Sequence, residues 1–351
     1  MGGAREPLAD LSFDLRLAHP GFAFEMAAKI PARGSTAIMG PSGSGKTTLL
    51  RALAGLEPDA QGTARLGDQR WMGRGAALEP RDRRIGLVFQ DGRLFEHLSV
   101  ADNIRYGAKR RRVPAPAVQG IIDALGVGHL LARRPATLSG GEARRVALAR
   151  AMAAGPDILF MDEPLSGLDD GAKARLMPYI ARAVVGLGIP VLYVTHAQAE
   201  VTHLADRVLL VAGGQVTGWG PVPPRLAVTV VQDLSGGRVL LSLGGAEFAL
   251  AGFGTPGDAR QISLPNDGVL LSRQHPGDSA ALAVLQAHVT SLGAQAGGTL
   301  IRLRVNGQDL ALPVDLGSPL DRRRPSEGEE LWLTVLQAVL RLRIRQIEPD
   351  S

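Results

Sequence analysis

A glycine-rich segment followed by lysine and threonine stands between a short apolar run, 35–39, and an apolar helix-like pattern. The segment consists of Gly40, Pro41, Ser42, Gly43, Ser44, Gly45, Lys46, Thr47 and Thr48. Glycines let the backbone wrap closely, so that successive N–H groups and the N-terminus of the following helix point at phosphate oxygens. The pattern predicts a nucleotide-binding loop in which Lys46 holds the β- and γ-phosphates and Thr47 offers a hydroxyl to Mg²⁺. A purely structural glycine turn is the alternative, which the flanking strand and helix disfavour.

Two adjacent acidic residues, Asp162 and Glu163, end the apolar stretch 158–161. A carboxylate at the C-terminal end of a buried strand is poised to hold a metal ion, which assigns that role to Asp162. Glu163 then points toward the γ-phosphate, where it can orient and deprotonate the attacking water. A strand that merely reaches the surface is the alternative. The location of the pair 116 residues after Lys46, in an alternating α/β chain, favours the chemical interpretation.

A third candidate motif, Leu138 to Glu142, precedes a helical pattern. Ser139, Gly140 and Gly141 would form a second anion site at a helix N-terminus. Ser139 and Glu142 also have the spacing of a capping box, and the two interpretations coexist.

The elements that must position these residues alternate between strands and helices, which predicts an α/β fold with a parallel sheet. Strand-like runs occur at 85–89, 158–161, 191–195 and 208–211, and helical patterns at 142–153 and 171–185. The mostly helical stretch of about 91–155 predicts an inserted helical subdomain. Short β-like runs at 228–231, 239–243, 269–271, 300–305 and 331–335 predict a small all-β domain. We expect domains at 1–224 and 225–351.

Composition and charge exclude several classes of protein. The 351 residues are 45% hydrophobic and contain no cysteine, which excludes a disulfide scaffold, a thiolate metal site and a cysteine nucleophile. No apolar run reaches the roughly 18–20 residues of a membrane span, and we expect a soluble protein of a reducing compartment. Residues 1–225 carry 28 basic and 21 acidic side chains, against 11 and 13 in the remainder. A nucleic-acid surface is one interpretation of this excess, which has clusters at 81–84 and 109–112. We favour a solvated arginine-rich surface and expect no nucleic-acid partner.

Taken in order, these motifs resemble those of the ATP-binding cassette (ABC) ATPases across residues 35–220. In that family the segment 40–47 matches the Walker A loop, and Asp162 with Glu163 matches the Walker B strand and the catalytic base. The segment 138–142 matches the signature motif, which contacts the ATP bound to the opposite subunit. The resemblance implies a P-loop NTPase fold, Mg²⁺-dependent ATP hydrolysis, a head-to-tail homodimer and two integral-membrane permease subunits.

The same resemblance adds three further site residues and one aromatic candidate. Gln90 matches the Q-loop glutamine near the metal and the lytic water, Asp169 matches the D-loop, and His196 matches the switch histidine at the γ-phosphate. Family members often place an aromatic residue near position 18 to stack on adenine. This chain has Ala18 there, which leaves Phe22 as the candidate.

The stretch 83–107 looks more specifically like the ATP-binding subunits of molybdate importers. The runs 284–289 and 331–336 resemble the small molybdate-binding-like barrel attached to those subunits, with a core at about 280–347. The resemblance implies a peripheral protein on the cytoplasmic face of the bacterial inner membrane that powers molybdate import, fed by an extracytoplasmic molybdate-binding protein. An importer of sulfate, tungstate, iron or sugar is the alternative. A non-transport ABC ATPase is disfavoured, since the chain has no second glycine-lysine loop and no heptad run.

Barrels of this type often hold the oxyanion with a Ser-x-x-Asn segment before the strand that matches 284–289. Here Ala280, Ala281, Leu282 and Ala283 stand in that stretch. A buried dianion without hydrogen bonds is heavily penalised, so we expect a regulatory or dimer-forming domain rather than a strong molybdate site. Thr290 and Ser291 leave open a smaller set of hydroxyl donors.

Overall fold

Alternating apolar residues near the start of the chain form a strand with one buried face: Leu11, Phe13, Leu15 and Leu17 are buried and the residues between them are not. This strand belongs to the first of two units, Met1–Val222 and Pro223–Ser351, into which the chain divides. The structure is a computed structural model. It describes residues 10–19, 22–73, 77–168, 170–222, 225–234, 238–243, 245–251, 255–264, 269–277, 281–295, 298–314, 325–336 and 341–343.

The first unit combines two sheets with helices. Its strands are β1 (Leu11–His19), β2 (Phe22–Ile30), β3 (Ser35–Met39), β4 (Gln61–Leu66), β5 (Gln69–Met72), β6 (Ile85–Val88), β7 (Ile158–Asp162), β8 (Val191–Val194), β9 (Arg207–Ala212) and β10 (Gln215–Gly220). Its helices are α1 (Lys46–Ala54), α2 (Val100–Arg111), α3 (Ala115–Ala124), α4 (Gly140–Ala153), α5 (Asp170–Leu187) and α6 (Gln198–Leu204). Among the described residues, none of the helices has the length and apolar character of a membrane span.

The larger sheet of this unit has the order β10-β9-β3-β8-β7-β6. β9, β3, β8, β7 and β6 run parallel, and β10 joins the edge antiparallel to β9. All five residues of β7 are buried, as expected for a parallel strand covered on both faces. β6, β7, β8 and β9 lie where the apolar runs predicted strands.

The second sheet, with the order β2-β1-β4-β5, is antiparallel and was not predicted from the sequence. It shares one core with α1 and the parallel sheet. Leu49, Leu50 and Leu53 of α1 are fully buried in this core, and the Trp71 ring of β5 meets the Phe160 ring of β7 edge-on at 6.3 Å. Helix α1, and with it the glycine-rich loop, is therefore held by packing from both sheets.

The chain between β6 and β7 is mostly helical, and the buried side chain of Asn103 holds its first part in place. Asn103 on α2 accepts a hydrogen bond from the N–H of Phe95 (2.9 Å) and donates to the carbonyls of Phe95, Leu98 and Ser99. The Ser99 side chain caps α2 by accepting from the N–H of Asp102. These bonds give a defined path to the chain that follows Gln90.

The second unit is all-β, as predicted. Its strands are β11 (Arg225–Leu234), β12 (Arg238–Leu243), β13 (Ala246–Ala251), β14 (Ala259–Ser263), β15 (Val269–Ser272), β16 (Ala281–Gln295), β17 (Gly298–Val305), β18 (Gln308–Val314), β19 (Glu330–Leu336) and β20 (Arg341–Arg343). They form two five-stranded sheets, β13-β12-β11-β14-β20 and β15-β19-β16-β17-β18, which bury one common apolar core. The oxyanion stretch considered above falls partly outside the described residues, which do not include Ala280.

Candidate active site

The parallel sheet brings the predicted site residues to one edge. Asp162 at the end of β7 lies in register with Val194 of β8, which in turn pairs with Ile38 of β3. On the other side of β7, Met161 pairs with Val88 of β6. Because the carboxyl ends of neighbouring parallel strands meet at the same edge of a sheet, the segments that follow these four strands lie side by side.

The glycine-rich loop after β3 depends on glycine at two of its positions. A Cβ on Gly40 would lie 1.8 Å from the carbonyl oxygen of Val211, and a Cβ on Gly45 would lie 2.7 Å from the Phe22 ring. Gly45 has φ 93°, a left-handed conformation that favours glycine. Because Gly45 precedes α1 and has no side chain, the N–H groups of the first turn remain open to a phosphate.

Lys46 turns its side chain back over this loop. Its Nζ donates to the carbonyl oxygens of Gly40 (2.9 Å) and Pro41 (2.7 Å). Burial lowers the pKa of Lys46, and the nearby charges of Glu163 and Asp162 act in the opposite direction. The lysine is thus a mostly buried cation set beside two carboxylates.

Thr47 and Asp162, which lie 115 residues apart in the sequence, are joined by a side-chain hydrogen bond. Thr47 Oγ1 donates to Asp162 Oδ1 at 2.8 Å. Burial raises the pKa of Asp162, while the hydrogen bond from Thr47 lowers it. Hydroxyl and carboxylate oxygens are ligands that suit Mg²⁺, which commonly binds through one or two carboxylates together with substrate phosphates.

Glu163 stands next to His196 at the ends of β7 and β8. Its Oε1 lies 3.4 Å from His196 Nδ1. Its backbone has φ 44°, and its N–H donates to the Val194 carbonyl at 3.1 Å. A left-handed non-glycine residue is uncommon and is enriched at functional sites. The fold therefore places a carboxylate and an imidazole in the same cleft as the glycine-rich loop.

A cleft of about 290 Å³ contains most of these groups. Its lining residues are Phe22, Ser42, Gly43, Gly45, Lys46, Thr47, Thr48, Glu163 and His196. Gly40, Pro41 and Ser44 belong to the same loop, and Asp162 reaches it through Thr47. The structure therefore brings Phe22, the aromatic candidate, into the cleft beside the loop.

The other predicted residues lie elsewhere in the described part of the chain. Ser139 caps α4 in a capping box, in which its N–H donates to Glu142 Oε2 at 2.7 Å and its Oγ accepts from the N–H of Glu142 at 3.3 Å. Ser139 and Gly140 are exposed, Gly141 is half-buried, and none of the three lines the cleft. Gln90 is exposed two residues after β6. Asp169 lies outside the described residues.

Comparison with known proteins agrees with this geometry. A family model described as ABC transporter matches residues 24–166. The molybdenum import ATP-binding protein ModC of Pseudomonas syringae pv. tomato is 38% identical over 335 residues, which covers 93% of this chain and 86% of the relative. The chain belongs to the ABC transporter ATP-binding proteins.

Further similarities support the ABC transporter ATPase family. ModC of Bordetella parapertussis is 36% identical over 350 residues and covers 91% of this chain and 94% of the relative. Among solved structures, cbiO1 of Clostridium perfringens, described as part of the ABC transporter complex cbiONQ, has a TM-score of 0.53 at 28% identity. That match covers 60% of this chain and 87% of cbiO1. The predicted family, fold class and ATP-hydrolysing activity are confirmed.

The positions of three charged residues of this ABC transporter ATPase were not predicted from the sequence. Arg83 belongs to the cluster interpreted as solvated, and that interpretation is wrong for it: the side chain is buried and donates to the carbonyls of Ala52 (3.1 Å) and Leu53 (2.6 Å) at the end of α1. Arg144 donates to the Pro164 carbonyl, directly after Glu163, at 2.9 Å. Glu200, four residues after His196, is buried. No local pattern distinguishes these residues from surface charges, because their burial depends on distant segments.

Proposed function

We propose that this ABC transporter ATPase powers the import of molybdate. Two copies would work head-to-tail beneath two permease subunits on the cytoplasmic face of the bacterial inner membrane, with an extracytoplasmic molybdate-binding protein delivering the ion. The observation that carries this proposal is the extent of similarity to molybdenum import ATP-binding proteins. It covers 91–93% of this chain and so extends well into Pro223–Ser351, past the family match that ends at 166.

In the proposed mechanism, Lys46 and the first turn of α1 bind the phosphates of ATP. Thr47 and Asp162 would hold Mg²⁺, with Gln90 near it. Hydroxyl and carboxylate oxygens suit that ion, and Thr47 Oγ1 lies 2.8 Å from Asp162 Oδ1. When bound, Mg²⁺ neutralises charge on the phosphate oxygens. Gly40, Pro41, Ser42, Gly43, Ser44, Gly45 and Thr48 complete the loop around the nucleotide.

Glu163 is the proposed general base, and His196 the proposed contact to the γ-phosphate. Phosphoryl transfer needs little covalent chemistry from the protein, so the main tasks are positioning of water and stabilisation of charge. Glu163 and His196 both line the cleft, with Glu163 Oε1 3.4 Å from His196 Nδ1, so both would be available to the terminal phosphate of a bound nucleotide. Gln90, at the neighbouring strand end, would orient the water.

The exposed N-terminus of α4 supplies the second half of each proposed site. Ser139, Gly140 and Gly141 form a helix N-terminus that is not part of their own chain's cleft lining. Such a terminus attracts phosphate, and a second copy in head-to-tail arrangement would present it to the ATP of its partner. Asp169 would lie at the same contact between the copies.

The test is transport by the complete complex. The chain is reconstituted into proteoliposomes with its permease subunits and binding protein, and uptake of labelled molybdate is measured with ATP inside, in competition with tungstate and sulfate. We expect ATP-dependent molybdate uptake that Glu163→Gln abolishes. Uptake of sulfate, iron or a sugar in place of molybdate would overturn the substrate assignment and leave the ATPase assignment standing.

A further inference from the structure

The strand-end loop, residues 163–168 after β7, is bent at both ends. Glu163 and Gly167 have left-handed backbone conformations, at φ 44° and φ 71°, and the N–H of Ser166 donates to the Glu163 carbonyl at 3.1 Å. A left-handed non-glycine residue persists only where the surrounding structure holds it. The placement of Glu163 therefore depends on what holds the strand-end loop.

Pro164, the residue after Glu163, is held by an arginine of a helix. Pro164 is buried and has no N–H, so its carbonyl oxygen is its one backbone hydrogen-bonding group. Arg144 of α4 donates to this oxygen from Nη1 at 2.9 Å. A hydrogen bond from an ionised donor is stronger than one from a neutral donor, and a buried carbonyl that loses its donor is penalised. Arg144 thus fixes the backbone directly after Glu163.

Two further contacts join α4 to the strand-end loop. A Cβ on Gly167 would lie 3.8 Å from Arg144 Nη2, and a Cβ on Gly140 would lie 4.0 Å from Leu168 Cδ2. The first turn of α4, which begins at Gly140, therefore lies against the loop that carries Glu163. The bond from Arg144 is part of a packed contact between these two segments.

Helix α4 is itself well anchored, which makes it a firm support for Arg144. Its residues 146–149 are all buried. Arg150 of the same helix donates to the Arg93 carbonyl at 2.8 Å, in the segment that follows Gln90. The helix therefore supports the segments that follow two neighbouring strand ends of the proposed hydrolytic site.

We propose that Arg144 is a positioning residue that holds Glu163 in place through the Pro164 carbonyl. This inference rests on the proposed function, because it needs Glu163 to act as the general base. Misplacing a reacting group by about 1 Å lowers a rate on the order of 100-fold, so loss of the Arg144–Pro164 bond lowers kcat far more than it lowers ATP affinity. Arg144 is not among the residues that line the cleft, so its replacement leaves the groups that bind the phosphates in place.

The first test compares two variants of the full chain at position 144. Arg144→Met removes the donor at similar side-chain length, whereas Arg144→Lys keeps a charged donor. We expect Arg144→Met to lower kcat for ATP at least about tenfold with KM within about twofold of the parent, and Arg144→Lys to restore most of kcat. Equal kcat in Arg144→Met and the parent, or no gain in Arg144→Lys, would overturn the inference.

Arg145→Met is the matched control, because it removes the same charge from the same helix. Arg145 donates to the carbonyls of Leu125 and Gly126, both at 3.3 Å, at the end of α3. We expect Arg145→Met to keep a kcat well above that of Arg144→Met. An equal fall in kcat in the two variants, or a raised KM beside the lower kcat in Arg144→Met, would mean a general structural role for α4 and overturn the inference.

A second test uses mixtures of two chains that are expected to be inactive alone, Lys46→Ala and Ser139→Arg. In the proposed head-to-tail dimer, the active composite site takes Glu163 from the Ser139→Arg chain and the helix N-terminus from the Lys46→Ala chain. Adding Arg144→Met to the Ser139→Arg chain is expected to lower the recovered ATPase activity at least about tenfold, whereas adding it to the Lys46→Ala chain leaves the recovery unchanged. The reverse pattern would assign Arg144 to the partner's site and overturn the inference.

Failure of the proposed function gives different results. No recovery in the simple mixture of Lys46→Ala and Ser139→Arg would refute the head-to-tail dimer, and the kcat of Arg144→Met still decides the inference. A Glu163→Gln chain with the parent's kcat would refute the proposed base. An inactive Glu163→Gln chain beside a fully active Arg144→Met chain would overturn the inference alone.

Discussion

Replacing Glu163 by glutamine removes the proposed general base and changes little else. Glutamine has the same chain length and the same Cβ, so the left-handed backbone at φ 44° and the 3.1 Å bond to the Val194 carbonyl are retained. The lost partner is His196, whose side chain is 68% exposed, and an exposed pair of this kind contributes about 0–1 kcal/mol. A general base contributes roughly 100- to 10,000-fold to a rate, or about 3–5 kcal/mol. The barrier to hydrolysis should therefore rise by much more than folding stability or binding changes.

The assay for Glu163→Gln is phosphate release at saturating ATP and Mg²⁺, beside equilibrium binding of a fluorescent ATP analogue. We expect kcat to fall at least about 100-fold while the Kd stays within about fivefold of the parent. Glu163→Asp serves as the control, because it keeps the carboxylate but shortens the side chain by one methylene. Its kcat should lie between those of the parent and Glu163→Gln. A Glu163→Gln chain with turnover within threefold of the parent would refute the assignment of the base.

Three further predictions concern binding, assembly and pH. Lys46→Ala removes the cation of the cleft and should weaken binding of the ATP analogue at least about tenfold; an unchanged Kd would contradict its role. Mixing Lys46→Ala chains with inactive Ser139→Arg chains should restore about a quarter of the parent's ATPase activity, since half of randomly formed dimers carry one intact composite site; no recovery would contradict the head-to-tail arrangement. Because burial raises the pKa of Glu200 above its ordinary 4.5, the parent should lose stability as the pH rises through that raised value. Thermal unfolding measured upward from pH 4.5 should therefore show a decline relative to Glu200→Gln, and parallel curves would contradict it.

Calorimetric titration of the full chain with molybdate tests the expectation for the second unit. The stretch 280–283, at the start of β16, has alanine and leucine where a Ser-x-x-Asn segment would supply donors, so we expect no tight, stoichiometric binding. A submicromolar Kd with one ion per site would show that other groups, such as the hydroxyls of Thr290 and Ser291, form an oxyanion site.

The strands of the parallel sheet were predictable because they are continuous apolar runs, and the structure places β7 and β8 within one residue of them. The antiparallel sheet was not predicted, although β1 alternates Leu11, Phe13, Leu15 and Leu17 in a clear period of two. Its partner β4 has the weaker pattern Gln61–Leu66, in which only Ala64 and Leu66 are buried. Pairing between strands 45 or more residues apart depends on the whole fold, and a local pattern does not reveal it.

The sequence by itself determined the chemistry of the loop and of the strand-end acids. A phosphate cradle is built from consecutive backbone groups, so the glycines, Lys46 and Thr47 act through neighbours in the chain. The tertiary structure alone decided which distant groups meet. Thr47 donates a hydrogen bond to Asp162, 115 residues away, and Arg83 donates to the Leu53 carbonyl at the end of α1. Glu200 is buried. These contacts follow from the strand order and from burial, and burial also shifts the pKa of each buried group. Neither the strand order nor the burial of a group can be read from the residue types beside it in the sequence.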